Sequence, residues 1–202
     1  MKHSSQRGYS LVELSIVLAI IAVVIAGAIT GVQSILRSNN VVKVIASTNK
    51  AASSITSKLI REPSYANANM QTLTNASMEI WDVRDITGAG TPNAKVSNAF
   101  GGQVWVAPLA ADWNGVLAGQ AYIYTISGVP TAACVDIALG LDPLAADISI
   151  GNEIPTSIAS APTGLRGTSI KSPGVNMTAL SAGLACAPAV NTGYTTISLL
   201  VP

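Results

Sequence analysis

From Leu14 to Ile29 the chain reads as an uninterrupted apolar run, extended by Leu11-Val12 before it and Thr30-Gly31-Val32 after it. As a helix, about 22 residues at 1.5 Å each span roughly 33 Å, close to the thickness of a hydrocarbon core. Glu13 is the only charged residue between Arg7 and Arg37. A carboxylate at the head of such a segment costs free energy unless a cation meets it, so any account of the chain has to supply that cation. A secretory signal peptide ending at Ala26-Gly27-Ala28 is one reading, but the run is longer than the usual apolar region and Glu13 is out of place in it. A plain signal anchor fits the length and leaves Glu13 unexplained. Lys2 and Arg7 on one side are balanced by Arg37, Lys43 and Lys50 on the other, so charge counting does not set the orientation.

The helical pattern continues past the apolar run. Val41, Ile45 (with Val44), Thr48, Ala52, Ile55 and Leu59 recur at spacings of three and four, and Pro63 ends the series. The spacing predicts one helix from about Ser10 to Ile60, apolar all round in its first half and amphipathic in its second. Arg37, Lys43, Lys50, Lys58 and Arg61 occupy the other positions, with no acid between Glu13 and Glu62. They are read either as a solvated face or as partners for acids of neighbouring molecules.

What remains is one domain of ordinary size. Residues 62 to about 98 read as a long, partly irregular connection, with Ser77–Ile86 the only plausible strand or short helix in it. Gly102–Ala107, Ala121–Ile126 and Tyr194–Val201 are short β-branched or aromatic runs bounded by turn residues, and so predict strands. About 13 residues separate the first two, which suits neighbours joined by a long hairpin loop. Strands after one long helix argue an α+β fold with an antiparallel sheet packed on the helix. Thr131 to Leu139 predicts a helix with Thr131 as N-cap.

Composition narrows the function. Charged residues make up 10% of the 202 residues and the net charge is +1. Soluble domains average about 25% charged residues, so this surface suits packing against copies or exposure outside the cell better than a cytosolic enzyme. His3 is the only histidine, inside the leader. If that leader is removed, no Ser-His-Asp or Cys-His chemistry and no imidazole zinc site remains. Asp82/Asp85 and Asp142/Asp147 lack calcium-loop spacing, so no catalytic residue, metal or other cofactor is expected. Cys134 and Cys186 are an even, widely spaced pair behind a membrane-targeting segment, which favours a disulfide over two buried free thiols.

Arg7-Gly8 followed by Tyr9-Ser-Leu-Val-Glu13-Leu and an immediate apolar helix resembles the leader of type IV prepilins and related pseudopilins. The resemblance implies cleavage between Gly8 and Tyr9 by a membrane aspartic peptidase, which also methylates the new Tyr9 amine. Tyr9 departs mildly from the usual Phe or Met. Glu13 becomes the fifth mature residue, four from that amine, and the resemblance implies that it pairs with the amine of a neighbouring subunit and so sets axial register. Many members have a proline near position 30 where the helix loosens in the filament; here Gly27 and Gly31 are the candidates for that loosening.

Asn98-Ala-Phe-Gly-Gly-Gln-Val and Ile126–Cys134 further resemble the longer type IVb pilins, where a strand runs through a Val-Pro turn into a helix near the first cysteine. The eight-residue leader is short for that class. Within the resemblance the chain divides into a leader (1–8), a transmembrane and filament-core half-helix (9–36) and a head with the outer half of the helix (37–202). The region between Cys134 and Cys186, poor in core-forming residues, is expected to need its crosslink and to carry subunit contacts.

The implied protein is not an enzyme but a structural subunit. It sits in the bacterial inner membrane with its head in the periplasm, then polymerises with itself into an extracellular pilus. Its other partners are the prepilin peptidase/N-methyltransferase and the inner-membrane assembly machinery. A minor pilin or type II secretion pseudopilin, and a single-pass anchored binding module, are the alternatives.

Overall fold

The computed structural model describes residues 10–75, 77–151, 165, 167–187 and 193–202. They divide into two compact units, one ending at Asn39 and one running from Asn40 to Pro202. A single helix, α1 (Leu11–Leu59), contributes to both. In the second unit its buried residues are Val41, Val44, Thr48, Ala51, Ala52, Ile55 and Leu59, the predicted stripe with Ala51 added and Ile45 only partly covered.

Behind α1 stands a seven-stranded antiparallel sheet of order β1-β2-β3-β4-β7-β5-β6. Its members are β1 (Ile86–Thr87), β2 (Lys95–Ser97), β3 (Gln103–Pro108), β4 (Tyr122–Pro130), β5 (Asp147–Gly151), β6 (Thr168–Lys171) and β7 (Tyr194–Val201). β3 and β4 pair as neighbours, Trp105 opposite Thr125. The last strand enters the middle: β7 pairs with β4 on one side and β5 on the other. Alternation decides the faces. Tyr122, Tyr124 and Ile126 of β4, Ile148 and Ile150 of β5, and Ile197, Leu199 and Val201 of β7 share one core with α1. The intervening Ile123 and Leu200 join Leu109, Ala121 and Leu165 in a second, smaller cluster.

Two tyrosines tie the sheet to the helix. The Tyr122 hydroxyl donates to the Ala52 carbonyl at 3.3 Å. Two residues on, the Tyr124 hydroxyl faces Thr48 and Trp81, whose buried Oγ1 and Nε1 make no hydrogen bond among the described residues. Burial pushes the Tyr124 phenol up to about 12 from 10.0, and burial raises Tyr122 as well. A neutral phenol is therefore favoured in the folded state. That contribution is complete below pH 10 and is lost as pH climbs toward 12, because the unfolded chain ionises first. Urea midpoints of the purified chain should fall over that window, and Tyr124→Phe should flatten the fall.

Several local expectations change. Thr131 is the first residue of α3 (Thr131–Leu141) rather than its cap; Pro130 holds the cap position and no side chain caps it. The reason is that β4 stays paired through Pro130 to Tyr194, and the Thr131 N–H is taken by the Gly193 carbonyl at 3.1 Å. Residues 62–98 are more ordered than composition suggests. They hold α2 (Met70–Leu73), capped by the Asn69 side chain, and the strands β1 and β2, while Ser77–Ile86 opens on a turn and ends in a short 3-10 helix, Val83–Asp85, and the first residue of β1. The inter-cysteine region builds β5, β6 and α4 (Ala179–Cys186), the last with a Thr178–Ser181 capping box. The Gly102–Gly128 pair lets the start of β3 lie close to the end of β4: a Cβ on Gly102 would collide with the Ser127 carbonyl and the Gly128 Cα.

Candidate assembly site

In the first unit Glu13 lies in the first turn of α1. Gly8 and Tyr9, the expected cleavage and methylation residues, lie outside the described residues, as does the amine expected opposite Glu13. From Leu11 to Leu36 every large apolar side chain is exposed on the single chain, Leu11 at 86% and Val17 at 47%. α1 is long and apolar enough to cross a membrane. Its hydroxyls do not spoil that face. Ser15 Oγ donates to the Val12 carbonyl at 2.7 Å, and Thr30 Oγ1 to that of Gly27 at 2.9 Å. The helix thus presents almost no unsatisfied donor to a lipid or a neighbouring helix. Gly27 and Gly31 stand inside unbroken helix, and a Cβ at either would meet nothing within 4 Å. An apolar surface of this extent has to be covered, by lipid or by other copies.

The second unit carries the disulfide. Cys134 on α3 joins Cys186 on α4, with Cα atoms 5.8 Å apart and a sequence separation of 52. Both cysteines are buried. The bond closes a loop containing β5, β6 and most of α3 and α4, so the two strands beyond the C-terminal one belong to a covalent ring. On the outer side of α4, Leu180 and Leu184, one turn apart, are 73% and 72% exposed. Lys43, Lys50 and Lys58 lie on the exposed side of α1.

The acids considered for chemistry are separately engaged. Asp82 receives Arg84 Nη2 at 2.8 Å, and that guanidinium holds its carboxyl well below the usual carboxylate range. Asp142 meets Lys171 at 3.0 Å. Asp147 is fully buried and accepts from Trp113, Asn114 and Ser169. Among the described residues no group of His, Cys, Asp or Glu could hold a metal. The α4 leucines escaped the sequence reading, and Asp147 entered it only as half of a dismissed acid pair, not as a buried acceptor. Their signal was faint: an acid at a strand start, and two leucines four apart in an Ala/Ser/Gly run.

Comparison with known proteins agrees with this arrangement. Residues 3–29 match the prokaryotic N-terminal methylation motif, and residues 33–187 match the family described as PilS N terminal. The major structural subunit of bundle-forming pilus from Escherichia coli O111:H- is 31% identical over 156 residues, 76% of each chain. Its counterpart in E. coli O127:H6 is 33% identical over 138 residues, 68% of this chain and 66% of that one. In fold the chain is similar to TcpA, a type IV pilin from Vibrio cholerae El Tor biotype. That likeness has a TM-score of 0.54 at 16% identity, covering 81% of this chain and 99% of the other. A type IV b pilin from Salmonella typhi gives 0.50 at 21%, covering 77% and 95%. The methylation motif at the head of an exposed apolar helix, the helix-on-sheet head, and the extent of the sequence match lead to one assignment: the chain belongs to the type IV pilin family.

Proposed function

We propose that this chain is a structural subunit of a type IV pilus of the IVb kind, without enzymatic activity of its own. The observation that carries the reading is α1 itself. Its first half exposes every large apolar side chain, and the one acid in that half sits in its first turn, inside the methylation motif. In lipid that half-helix anchors the chain in the inner membrane, with the head in the periplasm. The prepilin peptidase cuts between Gly8 and Tyr9 and methylates the new amine. The assembly machinery then moves the apolar helices from lipid into the core of an extracellular filament. Lipid and helix bundle are similarly apolar, so packing and the pairing of Glu13 supply the specificity. The exposed Leu180 and Leu184 suit contacts between heads, in keeping with a role for the inter-cysteine region in assembly.

Mass spectrometry of filaments sheared from the cell surface tests the reading. The dominant polypeptide should be this chain, beginning at an N-methylated Tyr9. A trace amount would point to a minor pilin or pseudopilin. Mature chains starting at residue 29 would mean a secretory signal, and chains starting at Met1 a plain anchor.

A further inference from the structure

The connection between β3 and β4 folds back on the sheet and is fastened there by a carboxylate. Leu109 and Ala121 close its base through a backbone bond of 3.0 Å, and Trp113 and Val116 pack against the small cluster of Leu109, Ala121, Ile123, Leu165 and Leu200. At its tip, Trp113 and Val116 exchange two backbone bonds (2.9 and 2.8 Å) around Asn114 (φ 45°) and Gly115 (φ 85°). That is a two-residue hairpin turn of the kind Asn-Gly favours. Asp147, the first residue of β5, lies beneath it with no exposed surface. Its Oδ2 accepts from Trp113 Nε1 at 2.9 Å and Asn114 Nδ2 at 2.7 Å, and its Oδ1 from Ser169 Oγ at 3.1 Å.

Asn followed by Gly is also the sequence in which a backbone nitrogen attacks a side-chain amide with least hindrance. Gly115 is exposed and has no side chain, and a Cβ built on it meets nothing within 4 Å, so the turn is open on that side. We infer that Asn114 is a latent deamidation site, held closed by the hydrogen bond from its amide to the buried Asp147 carboxylate. In the reaction the Gly115 nitrogen bonds to Asn114 Cγ and gives up its proton. The Cγ–Nδ2 bond breaks and ammonia leaves, forming a succinimide. Water then opens the imide to aspartate or isoaspartate. While Asp147 holds Nδ2, the amide cannot turn toward the Gly115 nitrogen without breaking a charge-assisted bond. Once the reaction has occurred, return is blocked. The donor has become a carboxylate facing a buried carboxylate, which repels it and leaves Asp147 short of a partner. The modification is therefore a one-way release of residues 109–121 from the sheet.

Full-length chain extracted in detergent with its disulfide intact is aged in mildly alkaline buffer beside the same chain reduced and denatured. Asn, Asp and isoAsp at position 114 are then quantified by peptide mapping. The folded chain should react on the order of tenfold or more slowly, the factor expected of one hydrogen bond to a charged group. Asp147→Ala, its fold monitored by the intact disulfide, should move the rate most of the way to the denatured value. Asn114→Asp should make the 109–121 connection a preferred site of limited proteolysis. Equal rates in folded and denatured wild type, or an Asp147→Ala rate as slow as wild type, overturn the gate. A denatured chain that forms no product at 114 overturns the site itself. Unchanged protease resistance of Asn114→Asp overturns the release.

Discussion

Glu13→Ala should leave a stable, membrane-inserted subunit that is cleaved at Gly8 yet almost never reaches the surface as filament. Removing the carboxylate makes insertion easier, since an acid within the bilayer costs up to about 2.5–3.5 kcal/mol at its centre and less near the edge. Glu13 belongs to the unit ending at Asn39, and the folded core draws on α1 only from Val41 onward. What is lost is the partner for the amine created by cleavage, an amine whose reference pKa of about 8 keeps it mostly protonated at neutral pH. Without that pair, identical apolar helices slide past one another at little cost, because Leu, Ile, Val and Ala surfaces offer many nearly equivalent registers. The measurement is the ratio of sheared filament to membrane-extracted subunit. Glu13→Gln separates charge from shape: it should fail as Glu13→Ala does if the ion pair sets register. Normal piliation of Glu13→Ala would sink the pairing account.

The second large effect is expected at the disulfide. Cys134→Ala, alone or with Cys186→Ala, should remove most of the folded head. Closing a loop of this length is worth roughly 4 kcal/mol in the chain-entropy model, a large share of the 5–15 kcal/mol that typically separates folded from unfolded. The topology adds to the loss. β5 is one of the two neighbours of β7, and both β5 and β6 lie inside the ring, so a loosened ring exposes the central C-terminal strand. Ile148 and Ile150 would leave the core with it. Pulse-chase of the variant in the periplasm should find it degraded within the time wild type takes to be assembled. A half-life equal to wild type, with filaments still made, would mean that the sheet stands without its crosslink.

The long helix could be read from residue order because its constraints are one-dimensional. A membrane-length apolar run, a lone Glu13 near its head and a 3-4 spacing from Val41 to Leu59 each refer only to positions along one helix. α1 ends within a residue or two of the expected place. β7 matches its predicted run, Tyr194–Val201, because alternating Thr, Ile and Leu beside Gly193 is a local signal. Cys134 and Cys186 could be paired because no other cysteines compete.

Elsewhere the partners are far apart in sequence. Asp147-Ile-Ser-Ile reads as one more short segment in a Pro/Gly/Ser-rich stretch, and it becomes a strand because β7, some fifty residues on, presents an open edge to it. Thr131 has the chemistry of a cap, yet the pairing of Pro130 with Tyr194 puts it inside the helix. The buried Asp147 could not be foreseen, since the Trp113, Asn114 and Ser169 groups that satisfy it meet only when three separate segments fold onto one face of the sheet. Residue order thus settles which segment is long and apolar enough to span a membrane and which cysteines join. Long-range strand pairing settles which short polar segments become sheet and where a buried carboxylate is sustained, because a hydrogen-bond donor across the sheet leaves no trace in local spacing.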